Sequence, residues 1–143
     1  HMVRDQALYD PVNQEYINRM AKRYPNAVLI LAHAARSFAA WTAVEAVDAV
    51  KHLDNVWFDF SGVCESPAMF QIMRKCGIDR CMWGSDYPRT MTAITYKMSL
   101  DFIEKTTEIS EENKKLILGE NARKFYGFAD IPTPQKVRNM VED

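Results

Sequence analysis

Three short apolar segments spaced by helix-length stretches constrain this chain most: AVLILA (residues 27–32), VWFDFS (56–61) and RCMWGS (80–85). The first has no polar alternation, as expected of a strand covered on both faces in a parallel sheet. The intervening segments have helical spacing, and strands separated by helices of that length imply βαβ crossovers. The expected order is α-β-α-β-α-β-α-α, an α/β fold of parallel βαβ units.

Local signals place the helix ends. Asp10-Pro11 is a helix start, with Asp capping free N–H groups and Pro suited to the first turn. Val12, Tyr16, Met20 and Tyr24 recur every four residues and predict one apolar helix face. An alanine-rich helix is expected over 38–53, and another from Ser66-Pro67 to about Cys76 with Gly77 as its cap. After a loop, a helix over 94–107 follows, and Ser110 caps a last one that runs through LILGENARKFYG to Gly127. The polar tail from Asp130 predicts either one short amphipathic turn capped by Thr133-Pro134 or a loose end.

The 143 residues suit a single domain with a real core. With 48% apolar and 26% charged residues, the composition is that of an ordinary globular protein. A net charge of −1 offers no basic field to nucleic acid or an anionic membrane, and the apolar runs are too short to span a bilayer. His1-Met2 reads as a vector remnant, although Met2 is also compatible with a native start, and the first residues do not read as a signal peptide. Three cysteines without a CxxC pair predict reduced thiols in a cytoplasm-like compartment.

In parallel α/β folds, sites gather at the carboxyl ends of the strands. The first strand leads into His33, Ala34, Ala35, Arg36 and Ser37. The second leads through Asp59 and Ser61 to Gly62, Val63 and Cys64, and the third leads to Ser85, Asp86 and Tyr87. At a strand spacing of about 4.8 Å, consecutive strands put the His33 and Asp86 backbones roughly 10 Å apart, close enough for their side chains to meet around one ion or water. Histidine supplies a neutral nitrogen ligand or a base. Aspartate supplies a hard anionic ligand or accepts a proton from water. Each also has a structural role open to it. His33 can be a hydrogen-bonded strand end and Asp86 a turn former before Tyr87-Pro88. Arg36 can be a solvated charge or can hold a substrate carboxylate. Asp59 needs a partner if it points inward. Ser61 and Ser85 read as turn or capping groups, since no G-x-S-x-G elbow activates them. His52, near a helix carboxyl end, reads as structural.

The blocks YPNAVLILAH, NVWFDFSG, GIDRCMWGSDYP and ILGENARKFYG, in that order, resemble the carboxyl-terminal half of the amidohydrolase-related family, the metal-dependent TIM-barrel hydrolases and decarboxylases. The resemblance covers nearly all of residues 10–128. It implies that the three strands are the last three of a (β/α)8 barrel. It also implies that Asp86 is a metal ligand or handles the proton of a metal-bound water, and that His33 is a ligand or polarises the substrate. Tyr87 and Arg36 then flank the substrate. The chain departs from the family pattern twice: it has Ala34-Ala35 where members often have glycines, and it has no H-x-H pair.

The resemblance therefore implies the carboxyl-terminal part of a hydrolase that uses a divalent metal (zinc, manganese or iron) and a small carboxylated or cyclic substrate, with a decarboxylase as the close variant. A zinc site needs about three protein ligands, and two are offered here. The alternative is a non-catalytic barrel fragment. Its open sheet edges predict a homo-oligomer or a separate amino-terminal half.

Overall fold

The computed structural model describes residue 1, residues 7–88 and residues 93–127. The tail from Asp130 lies outside the described residues, as does Met2. A three-residue 3-10 turn, Ala7–Tyr9, precedes helix α1, Pro11–Arg23. Then follow β1 (Leu29–Leu31), α2 (Trp41–Ala46), β2 (Val56–Asp59), α3 (Ser66–Cys76), β3 (Cys81–Met82), α4 (Ala93–Glu104), α5 (Glu111–Lys115) and α6 (Asn121–Tyr126). The three strands form one parallel sheet in the order β1-β2-β3. Leu31 pairs with Phe58, and Phe58 with Cys81. This is the predicted order of elements.

The caps explain the boundaries. The Val12 N–H donates to Asp10 Oδ1 (2.9 Å), and the Asn113 N–H to Ser110 Oγ (3.2 Å). Gly77 and Gly127 end their helices at φ +91° and +70°, where a side chain would be strained. The helix expected over 38–53 is shorter: α2 gives way to a 3-10 turn at Val47–Ala49. The last helix is one continuous run in which a π-helical segment, Leu116–Glu120, joins α5 to α6. Each strand is shorter than its apolar run because the chain turns at its carboxyl end, and those turns build the site.

The apolar face expected on α1 is corrected. Val12 is 70% exposed and Tyr16 50%, while Ile17 (3%) and Ala21 are buried. Polar residues accompany the buried pair inward. The Asn13 and Gln14 amides donate to the carbonyls of Ala7 and Leu8, and Asn18 donates to Ala49 O. The helix lies on turns whose carbonyls need donors, which amides supply and tyrosines do not. The tyrosines stay at the surface, with Arg19 over the Tyr16 ring and Arg23 over Tyr24.

The core lies between the sheet and α2 and α3. Val56, Phe58 and Phe60 meet Val47, Met69, Ile72 and Met73 there, all buried. Leu29 and Ile30 are only half-buried, so the two-sided cover expected for the first strand is incomplete. Asn121 locks the last helix onto β3, its amide donating to Ile78 O (2.7 Å) and Cys81 O (2.8 Å). Arg80 similarly ties α3 to the turns that precede β2, donating to Cys76 O, Leu53 O and Lys51 O. Among the described residues no helix is long and apolar enough to cross a membrane.

Candidate functional site

The carboxyl ends of the three strands converge. After β1 the chain enters a tight turn in which His33, Ala34 and Ala35 all adopt left-handed backbone, at φ 56°, 53° and 48°. Asp86, beyond β3, does the same at φ 53°. Non-glycine residues rarely sit there, and each costs of order 1–2 kcal/mol. The turn swings the His33 ring, 8% exposed, across β2 toward Asp86. His33 Nε2 lies 3.9 Å from Asp86 Oδ1, and His1 Nε2 lies 3.0 Å from the same nitrogen.

The turn after β2 backs the histidine. His33 Nδ1 lies 2.7 Å from the Ser61 carbonyl oxygen and 3.2 Å from Ser61 Oγ. Ser61 is itself held by Asp59, whose Oδ1 accepts from the Ser61 N–H (3.0 Å) and whose Oδ2 accepts from the Ser61 hydroxyl (2.5 Å). Asp59, the last residue of β2, thus has the partner an inward carboxylate demands. Two glycines give the room. A methyl group on Gly62 would meet Asp86 Oδ2 at 3.0 Å, and one on Gly84 would meet Asp59 Oδ1 at 2.7 Å. The Gly84-Ser85 turn was visible in the sequence. The left-handed run at 33–35 carried no glycine to announce it.

The other candidates are placed as follows. Arg36 donates through Nη1 to Ser37 O and Phe38 O, and through Nη2 to Gly62 O (3.0 Å), clamping the turn after β1 to the turn after β2. Its Nε is buried with no hydrogen-bond partner among the described residues. Tyr87 is 82% exposed at the rim, and its N–H donates to Ser85 Oγ. Among the described residues, no three His, Cys, Asp or Glu side chains are grouped to hold a metal. As a pair, His33 and Asp86 fit part of such a site: bonds of about 2.0–2.2 Å from each to one ion just span their separation. Two surface clefts, about 290 Å³ around Pro25 and Asn55 and about 380 Å³ around Tyr24 and Pro25, are lined by none of these residues.

Parallel strands with an imidazole and a carboxylate converging at their carboxyl ends define an α/β protein with its candidate site at the strand ends. The chain belongs to the amidohydrolase family, whose family model matches residues 2–128. No curated protein matches it. Among solved structures it is similar to an amidohydrolase from Burkholderia multivorans with bound zinc, at 18% identity and a TM-score of 0.68, covering 81% of this chain and 49% of that one. It is also similar to a 2,6-dihydroxybenzoate decarboxylase complexed with 2,6-dihydroxybenzoate, at 16% identity and a TM-score of 0.60, covering 82% and 41%. A dihydroxybenzoic acid decarboxylase from Polaromonas with bound manganese and 2-nitroresorcinol matches at 18% identity and a TM-score of 0.57, covering 83% and 41%. At these identities the likeness is one of fold. The chain spans about half the length of the first structure.

Proposed function

We propose that this chain supplies one metal- and substrate-binding corner of an amidohydrolase-type hydrolase acting on a small carboxylated or cyclic molecule. The approach of His33 Nε2 to Asp86 Oδ1, at 3.9 Å on the open end of the sheet, carries the reading. A divalent ion bound there (zinc, or manganese or iron) would supply Lewis acidity and a nucleophilic water at neutral pH. His33 and Asp86 would hold it, and Asp86 would also accept the proton of the water. Arg36 supports an acidic substrate group through its charge, its half-buried guanidinium lying at the turns after β1 and β2 beside His33. Tyr87 at the rim offers a ring to a cyclic substrate. The decarboxylases among the structural neighbours keep carbon–carbon cleavage as the close variant.

With two donors, the chain on its own is expected to be incomplete. The last helix covers the outer edge of β3, through Asn121 on Cys81 O and Ile117 O on the Trp83 N–H, but β1 is an edge strand whose Leu29 and Ile30 are only half-buried, and an open parallel edge invites pairing. We therefore propose that the site is completed by association, either with a second copy or with a separate amino-terminal half. Three free cysteines support a reducing, cytoplasm-like setting.

The test is bound metal per chain after exchange into metal-free buffer, measured beside His33→Ala and Asp86→Ala. Stoichiometric metal lost in both variants supports the reading, and metal indifferent to both overturns it. Light scattering at tens of micromolar tests association, which a clean monomer would refute.

A further inference from the structure

We propose that Asp59 is a positioning residue for His33: acting through Ser61, it holds the imidazole with its proton on Nδ1 and its bare Nε2 turned to Asp86. Two atoms face Nδ1, and both are acceptors. The Ser61 carbonyl oxygen, at 2.7 Å, has no proton to give. Ser61 Oγ, at 3.2 Å, has one, but it is committed to Asp59 Oδ2 at 2.5 Å, the length of a hydrogen bond to an ionised carboxylate. With its hydroxyl proton turned away, Ser61 Oγ presents only lone pairs to the ring. Asp59 Oδ1 also takes the Ser61 N–H, so the residue whose carbonyl meets Nδ1 is held through its backbone as well as its hydroxyl. A neutral imidazole carries one ring proton, and each nitrogen's role is set by what the other one bonds. The proton therefore sits on Nδ1, and Nε2 is left as an acceptor, here toward His1 Nε2 at 3.0 Å with Asp86 Oδ1 beyond it at 3.9 Å, the form that ligates a metal or takes a proton. In its protonated form the same ring donates from Nε2.

Gly84 belongs to the device. Its missing side chain leaves the space that the Asp59 carboxylate occupies, and a Cβ there would lie 2.7 Å from Asp59 Oδ1 and 2.9 Å from Ser61 Cβ. Contacts that close force a displacement.

The consequence for chemistry rests on the function proposed above, but the tautomer does not, so the two fail separately. The experiment is nitrogen-15 NMR of the imidazoles in the full chain at mildly alkaline pH, with the His33 signals assigned by their loss in His33→Gln. The expected spectrum has a protonated Nδ1 and an unprotonated Nε2. Asp59→Asn turns an acceptor toward Ser61 Oγ into a donor, freeing the hydroxyl proton to point at Nδ1. Gly84→Ala displaces Asp59 without removing it. Either folded variant should raise the Nε2–H population severalfold. A wild-type His33 protonated on Nε2, or a folded variant with an unchanged spectrum, overturns the proposal. The expected spectrum in a chain that binds no metal would sink the proposed function and leave the positioning role standing.

Discussion

His33 and Asp86 meet across the strand that separates theirs. β1 and β3 do not touch, yet Nε2 of one residue and Oδ1 of the other are 3.9 Å apart. Both residues leave their strands in left-handed backbone, and Gly62, beyond the middle strand, has no side chain to keep them apart. The convergence depends on three turns and not on the sheet alone.

Gly62 gives the first prediction. Gly62→Ala carries a left-handed penalty of about 1–2 kcal/mol and places a methyl group 3.0 Å from Asp86 Oδ2. Gly127→Ala, at φ +70° with nothing among the described residues within 4 Å of the added methyl group, carries the backbone penalty alone. Denaturant melts should show both variants destabilised. On the function proposed above, only Gly62→Ala should also lower the metal retained per chain. Equal metal retention by the two variants would contradict the role assigned to Gly62.

The strained turn gives a second. Ala34, buried at φ 53°, should tolerate glycine: relief of about 1–2 kcal/mol offsets a lost methyl of about 0.8 kcal/mol and the added chain entropy of the unfolded state. Ala21→Gly, at a buried position in α1, should cost about 2 kcal/mol through helix propensity and the same lost methyl. Melting midpoints for the two variants test the contrast. A loss at Ala34 as large as at Ala21 would mean that the turn is not strained.

Asn121 anchors α6 to the start of β3 by two short bonds to backbone carbonyls. Asn121→Ala leaves both acceptors without that donor in a buried setting, and about 2–4 kcal/mol of stability should be lost. Chemical denaturation measures it. A change below about 0.5 kcal/mol, the range of ordinary surface substitutions, would show the anchor to be dispensable.

The thiols predict a pH dependence. Burial pushes the Cys76 thiol up to about 12 and raises Cys81 well above the ordinary value. In the unfolded chain these thiols ionise near 9.0. The stabilising preference for the protonated form is therefore complete below about pH 9 and is lost as pH rises toward about 12. Thermal melts across that window should fall, and Cys76→Ala should flatten the fall. A thiol reagent under native conditions should modify exposed Cys64 first and reach Cys76 and Cys81 only on unfolding. Rapid native modification of all three would contradict this burial.

The sequence by itself determined the order of elements, because strand runs, helix periods and caps are local signals. Asp10, Ser110, Gly77 and Gly127 act where their chemistry predicts. It also placed His33 and Asp86 at strand ends on one edge of a parallel sheet. Only the tertiary structure decided which way side chains point. The Val12–Tyr24 spacing could not reveal that α1 rests on carbonyl-lined turns, so amides went inward and tyrosines outward. No glycine marked the left-handed turn at His33–Ala35, because packing around that turn holds alanines in a conformation that local preference disfavours. Asp59, Ser61 and His33 are joined by hydrogen bonds between strands, and such bonds depend on register and turn geometry, which are set only when distant segments pack.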